Sequence, residues 1–146
     1  MDAAELLAGD TPFVADTSTW WRIAALPEDL ARSVQDAMLS ERMLITPIVR
    51  MEILYSARSS TEYASLDAQL TALRMLRNDR AAADTAMSAL RELAERHDGY
   101  HRVPLADALT AAAAAEQGGL AVLHRDAHFD RLAEVLAFGS VALPVP

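Results

Sequence analysis

A chain of 146 residues that is 52% apolar, carries a net charge of −8 and contains no cysteine is expected to fold as one soluble domain, without disulfides, thiolate zinc sites or cysteine nucleophiles. All 13 basic residues are arginine, which removes the phosphate-binding lysine of P-loops, Schiff-base chemistry and the lysine of a phosphate-receiving regulatory domain. Arg, Asp and Glu interrupt every apolar stretch before the roughly 18 to 20 residues a membrane span needs. The acidic balance excludes a broad basic face for nucleic acid while leaving room for a local groove.

Residues 1–12 carry Asp2, Glu5 and Asp10 and lack the basic start and apolar run of a secretion signal, so they are read as a frayed extension of a cytoplasmic protein. Phe13 to Asp16 reads as a short buried strand, followed by the hydroxyl run Thr17-Ser18-Thr19, expected to cap a helix carrying Trp20, Trp21 and Ile23. Pro27 opens a second helix with Leu30, Val34, Ala37 and Met38 at helical spacing. Met43-Leu44-Ile45 is the next strand, and Thr46-Pro47 starts a helix bearing Ile48, Met51, Leu54 and Tyr55 on its apolar stripe and Glu52 beside it.

Glu62 to Leu70 predicts another helix, and Leu73 to Leu76 reads equally as its end or as a third strand. Asp79 to Glu95 is Ala-rich and helical, ended by His97-Asp98-Gly99. Pro104 opens a helix through Asp107 and Ala111 to Ala115, stopped by Gly118-Gly119, with alanines small enough for close approach to a sheet. Leu120 to Leu123 is a strand, Ala127 to Leu136 a helix, and Ser140 to Leu143 a last strand. Strands separated by helices predict right-handed crossovers and an α/β fold whose parallel sheet is covered on both faces. Residues 13–146 show no internal repeat and no linker that would divide them.

Four acids stand out: Asp16, Glu52, Asp107 and Asp126. Asp16 ends an apolar run and Asp126 follows another, so both fall at the carboxyl edge of a parallel sheet, where ligands bind in open α/β folds. Glu52 and Asp107 lie on helices able to lean over that edge. Gathered carboxylates repel one another, and a divalent cation resolves the repulsion. Each acid also has an ordinary reading. Asp107 suits the first turn of a helix and Asp126 a helix cap. Asp in a strand end, by contrast, needs a partner. Glu116, Asp130 and Glu134 read as solvated helix charges, and Trp20, Trp21 and Tyr55 as core or subunit interface.

Taken in order, Val14-Ala15-Asp16-Thr17-Ser18, Thr46-Pro47-Ile48-Val49-Arg50-Met51-Glu52-Ile53-Leu54, Val103-Pro104-Leu105-Ala106-Asp107 and Gly119 through Asp126-Ala127-His128-Phe129-Asp130 to Ala133 resemble the PIN domains of VapC-type toxins. The resemblance runs from Phe13 nearly to the C-terminus. It implies a three-layer α/β/α fold with a central, mostly parallel sheet of four to five strands. It also implies a metal-dependent endoribonuclease acting on RNA loops with Mg²⁺ or Mn²⁺ and leaving a 5′-phosphate and a 3′-hydroxyl. Asp16, Asp107 and Asp126 match the family's metal ligands, Glu52 a ligand or orienter of the attacking water, and Ser18 the hydroxyl that supports Asp16. Arg102 and Arg125 are candidates for RNA backbone contact. The family's last motif often reads Asp-x-Asp-Phe, whereas His128 stands at the second Asp here. An imidazole there can bind Mn²⁺ or hydrogen-bond a phosphate. The resemblance further implies a homodimer and a VapB-type antitoxin with a basic tail. Two alternatives remain in view: a degenerate PIN domain serving as an interaction module, and a haloacid dehalogenase-like phosphatase. The second needs an Asp two residues after the first and a distant lysine, where this chain has Ser18 and no lysine.

Overall fold

The computed structural model describes residues 1–146. Its first strand, β1 (Phe13–Ala15), sits at the centre of a five-stranded sheet with β2 (Met43–Ile45), β3 (Arg74–Met75), β4 (Ala121–His124) and β5 (Gly139–Ala142), in the spatial order β3-β2-β1-β4-β5. All neighbouring pairs are parallel, with Val14 opposite Leu44 on one side and Val122 on the other. Leu73 to Leu76 thus resolves as the edge strand, the preceding helix ending at Thr71, and the Leu76 amide donates to the Ile45 carbonyl at 2.8 Å.

Alternation along the strands divides the core into two layers. Phe13, Ala15, Met43, Ile45 and Leu123 face one buried cluster, shared with α3 (Glu28–Leu39), α4 (Pro47–Tyr55) and α5 (Ser60–Thr71). Val14, Leu44 and Val122 face the other, shared with α6 (Arg80–Arg96), α7 (Leu105–Glu116) and α8 (His128–Leu132). The result is the expected three-layer α/β/α arrangement. Ala111 to Ala114 are fully buried on α7, so this helix reaches the sheet and α6 with no side chain larger than a methyl at those positions. Gly118 and Gly119, at φ 95° and 70°, then turn the chain into β4 through the left-handed region that a Cβ disfavours.

The N-terminal residues depart from the expectation of a frayed extension. Ala3–Ala8 form α1, closed by a reciprocal capping box in which the Glu5 amide donates to Asp2 and the Asp2 amide to the Glu5 carboxylate. Ala3, Leu6 and Leu7 are buried in the first core cluster, and the Arg42 guanidinium donates to the Leu7 carbonyl at 2.8 Å. Six residues would not hold a helix alone; burial of this apolar face against α3 holds it.

A second difference lies just after β1. The helix α2 spans only Thr17–Trp20, and its cap is the Asp16 carboxylate rather than one of the hydroxyls that follow. The strand order reverses around β1, since the chain leaves it toward β2 and later returns beside it as β4. The carboxyl ends of β1 and β4 therefore flank the switch point at which open α/β sheets leave a crevice. No helix is long and apolar enough to cross a membrane.

Candidate metal centre

Asp16 and Asp126 follow β1 and β4 at that switch point, and their backbones are tied together there. Asp16 is buried, and its Oδ2 accepts from the Ser18 amide at 3.0 Å and from the Ser18 hydroxyl at 2.6 Å. The same hydroxyl oxygen accepts from the Arg125 amide at 2.9 Å. One serine thus fixes the Asp16 carboxylate and the loop after β4 in a single register.

Glu52 reaches the edge from α4. It is exposed, and the Thr17 hydroxyl donates to its Oε1 at 2.7 Å. Asp107, the third residue of α7, is only 6% exposed, and its Oδ2 is buried without a hydrogen-bond partner. Burial, followed by the charges of Asp16, Asp126 and Glu52, pushes its carboxyl up to about 8. Those causes also show that α4, α7 and the two strand ends bring Asp16, Asp126 and Glu52 within electrostatic reach of Asp107, although the four lie far apart in the chain.

Asp126 is held differently. Its Oδ1 accepts from the His128 amide at 2.9 Å, and the His128 Nδ1 lies 2.5 Å from the same oxygen. Burial pushes the Asp126 carboxyl up, but the His128 amide and the charge of its ring outweigh this and hold it below the usual range. His128 Nδ1 is also 3.8 Å from Asp107 Oδ2. The Nδ1 contact with Asp126 is close but wrongly angled for a hydrogen bond, leaving Nδ1 buried and unpartnered like Asp107 Oδ2. Donor atoms of Asp107, Asp126 and His128 all lie within 4.8 Å of one another.

Sequence reasoning missed the group behind Asp126. His124, the last residue of β4, is buried and accepts from the Asp126 amide through Nδ1 at 3.1 Å. Its Nε2 faces the Ser140 hydroxyl at 2.7 Å, which donates to Asp130 Oδ1 at 2.7 Å. This chain is coherent only with the proton on Nε2, and burial lowers the His124 pKa toward that neutral form. Asp130 and Glu134 are exposed, as read, and each also makes a side-chain contact: Asp130 closes this relay and Glu134 accepts from the Tyr100 hydroxyl at 3.0 Å. The available signal was a histidine ending the apolar run Ala121-Val122-Leu123.

The remaining candidates sit at the rim. Arg102 and Arg125 are exposed, in the turn before α7 and in the loop after β4. Trp20 is partly buried against the core, but Trp21 and Tyr55 are exposed, 48% and 92%, and so are not core residues. With Thr17, Met51, Glu52 and Ser56 they line an open depression of about 450 Å³ beside the acids. A larger concavity of about 520 Å³ lies along α3, and none of these four acids lines it. The depression beside Glu52 is open rather than enclosed, while Asp16 and Asp107 are buried behind it.

Residues 13–135 match the PIN domain family model. The chain belongs to the PIN domain family. Among its relatives, ribonuclease VapC18 of Mycobacterium tuberculosis is 40% identical over 124 residues, spanning 84% of this chain and 88% of the relative. Ribonuclease VapC51 of the same organism is 32% identical over 123 residues, spanning 84% and 86%. The fold is also that of a solved DNA-bound VapBC complex from Salmonella typhimurium, with a TM-score of 0.70, 23% identity and coverage of 90% of this chain and 97% of that one. For a PIN domain of the VapC group the donor set is chemically apt. Hard carboxylate oxygens crowd one edge, and a buried carboxylate oxygen among them has no proton donor to satisfy it, as expected where a divalent cation is to bind.

Proposed function

We propose that this protein is a Mg²⁺- or Mn²⁺-dependent endoribonuclease and the toxin of a type II toxin–antitoxin pair. The observation that carries this reading is Asp107: a buried, unpartnered carboxylate facing Asp16, Asp126 and Glu52 at the switch point of the sheet. Relatives named as ribonucleases support the substrate class.

In this reading Asp16, Asp107 and Asp126 hold the cation, with Glu52 at its edge. A divalent ion bound there supplies Lewis-acid polarisation of the phosphodiester and a more acidic bound water. The protein's own contribution is positional. Ser18 keeps the Asp16 carboxylate aimed at the edge, and His124 with the Ser140–Asp130 pair keeps the Asp126 loop in place. Thr17 engages only Oε1 of Glu52, so Oε2 is free to accept a proton from the attacking water. Water oxygen bonds to phosphorus and the P–O3′ bond breaks. One proton of the water remains with the general base, and the 3′-oxygen takes a proton from solvent, giving a 5′-phosphate and a 3′-hydroxyl. Arg102 and Arg125, exposed in the turn before α7 and in the loop after β4, are the candidates for contact with the RNA backbone.

The partner in this reading is a VapB-type antitoxin whose basic tail covers the acids, drawn by a net charge of −8. The working form is a cytoplasmic homodimer. Solved VapBC complexes of this fold support the pairing. The phosphatase alternative loses ground because Ser18, bound to Asp16, stands where that chemistry needs a second acid.

Incubation of a mixed pool of structured RNAs with the protein should give cleavage at defined sites in Mg²⁺ or Mn²⁺ and none in EDTA. End-labelling should find 5′-phosphates. Complete inertness in every metal, with no rise in melting temperature on metal addition, would leave the interaction-module reading in its place.

A further inference from the structure

Resting on the reading that the acid edge binds a divalent cation, we propose that His128 makes part of that edge a mixed nitrogen–oxygen position, with Asp107 and Asp126, that selects Mn²⁺ or a comparable transition ion over Mg²⁺.

Three features of the site carry this. Asp107, Asp126 and His128 present donor atoms all within 4.8 Å of one another, a set that one ion can gather. Two of those atoms, Asp107 Oδ2 and His128 Nδ1, are buried and lack hydrogen-bond partners. They stand 3.8 Å apart, and His128 Nδ1 also lies 2.5 Å from Asp126 Oδ1, so the imidazole nitrogen sits beside both carboxylates. A carboxylate buried to this extent without a donor is costly unless a cation completes it. Backbone geometry also points the imidazole inward. The His128 amide is bound to Asp126 Oδ1, which places residue 128 at the first turn of α8, and its ring Nδ1 folds back to 2.5 Å from the same carboxylate oxygen.

The choice of ion follows from ligand chemistry. Mg²⁺ prefers oxygen donors and octahedral geometry and binds imidazole poorly, whereas Mn²⁺, Co²⁺ and Zn²⁺ accept imidazole nitrogen readily. An Asp at position 128 would make the set all-oxygen and remove that bias. With His128 the set keeps two carboxylates for charge and gains one borderline donor.

The test is direct metal binding by the metal-free full-length protein, with wild type, His128→Asp and His128→Ala compared. Mn²⁺ and Mg²⁺ affinities are read by calorimetry, and nitrogen ligation by pulsed electron paramagnetic resonance of bound Mn²⁺. Melting in EDTA establishes that each variant is folded. Wild type should show a histidine ¹⁴N coupling to Mn²⁺. Its preference for Mn²⁺ over Mg²⁺ should fall by about tenfold in both variants, with the coupling lost. Metal binding with no nitrogen coupling, and with an unchanged Mn²⁺/Mg²⁺ ratio in His128→Asp, overturns the role of His128 while leaving the acid centre intact. Absence of any metal binding overturns both.

Discussion

Asp107→Asn should melt higher than wild type in EDTA at pH 8, and lose that advantage in saturating Mn²⁺. The carboxyl sits at about 8 in the fold against 3.8 ordinarily, chiefly because of burial and then because of Asp16 and Asp126. A group whose folded pKa is raised binds more protons folded than unfolded between those values, so stability falls as pH rises through that window. Below about pH 4 the penalty is absent, and above about pH 8 it is complete. The raised value caps the penalty at about 6 kcal/mol, and solvent at the open edge reduces it to about 2–3 kcal/mol. For a chain of this size that is about 5–10 °C. Calorimetric melting of both proteins in EDTA from pH 5 to pH 8 checks this: the gap should widen toward pH 8. Saturation with Mn²⁺ at about 100 times its dissociation constant stabilises wild type by about 2.7 kcal/mol and the variant far less. Equal melting temperatures at pH 8 in EDTA would mean that Asp107 is not held against repulsion.

Asp16→Asn should lower single-turnover RNA cleavage by about 10³-fold or more, with folding intact. The amide oxygen can still accept from the Ser18 amide and hydroxyl, so α2 keeps its cap, but the charge that anchors a cation is gone. Ser18→Ala removes the bridge between Asp16 and the Arg125 amide while leaving all four acids charged, and a loss of about 10–100-fold is expected. The two losses differ because one deletes a ligand and the other loosens it. Asp16→Asn retaining a tenth or more of wild-type cleavage would remove Asp16 from the reaction.

β1, β2 and β4 were legible because they contain short apolar runs, whereas the exposed pair Arg74–Met75 of β3 carries no such signal; Asp16 and Asp126 were legible because they follow two of those runs. Glu52 and Asp107 offered less. Each is an unremarkable helix acid until α4 and α7 are docked on the sheet, so only the order of motifs linked them to the strand ends. The capping box Asp2-Ala3-Ala4-Glu5 before Leu6-Leu7 was a readable helix signal, overshadowed by the brevity of the segment and the Gly9-Asp10 that follows it. His124, Ser140 and Asp130 were not legible, since their relay joins residues 16 and 10 positions apart through a parallel strand pair that no local pattern announces. His128 was visible as a departure from the motif, but its approach to both Asp126 and Asp107 depends on the fold.

The most direct test of the account is calorimetric titration of Mn²⁺ into metal-free wild type and Asp107→Asn. The gathered carboxylates predict saturable binding to the wild type that is abolished or greatly weakened in the variant. Equal binding by both proteins, or no heat from either, would contradict a metal centre built around Asp107.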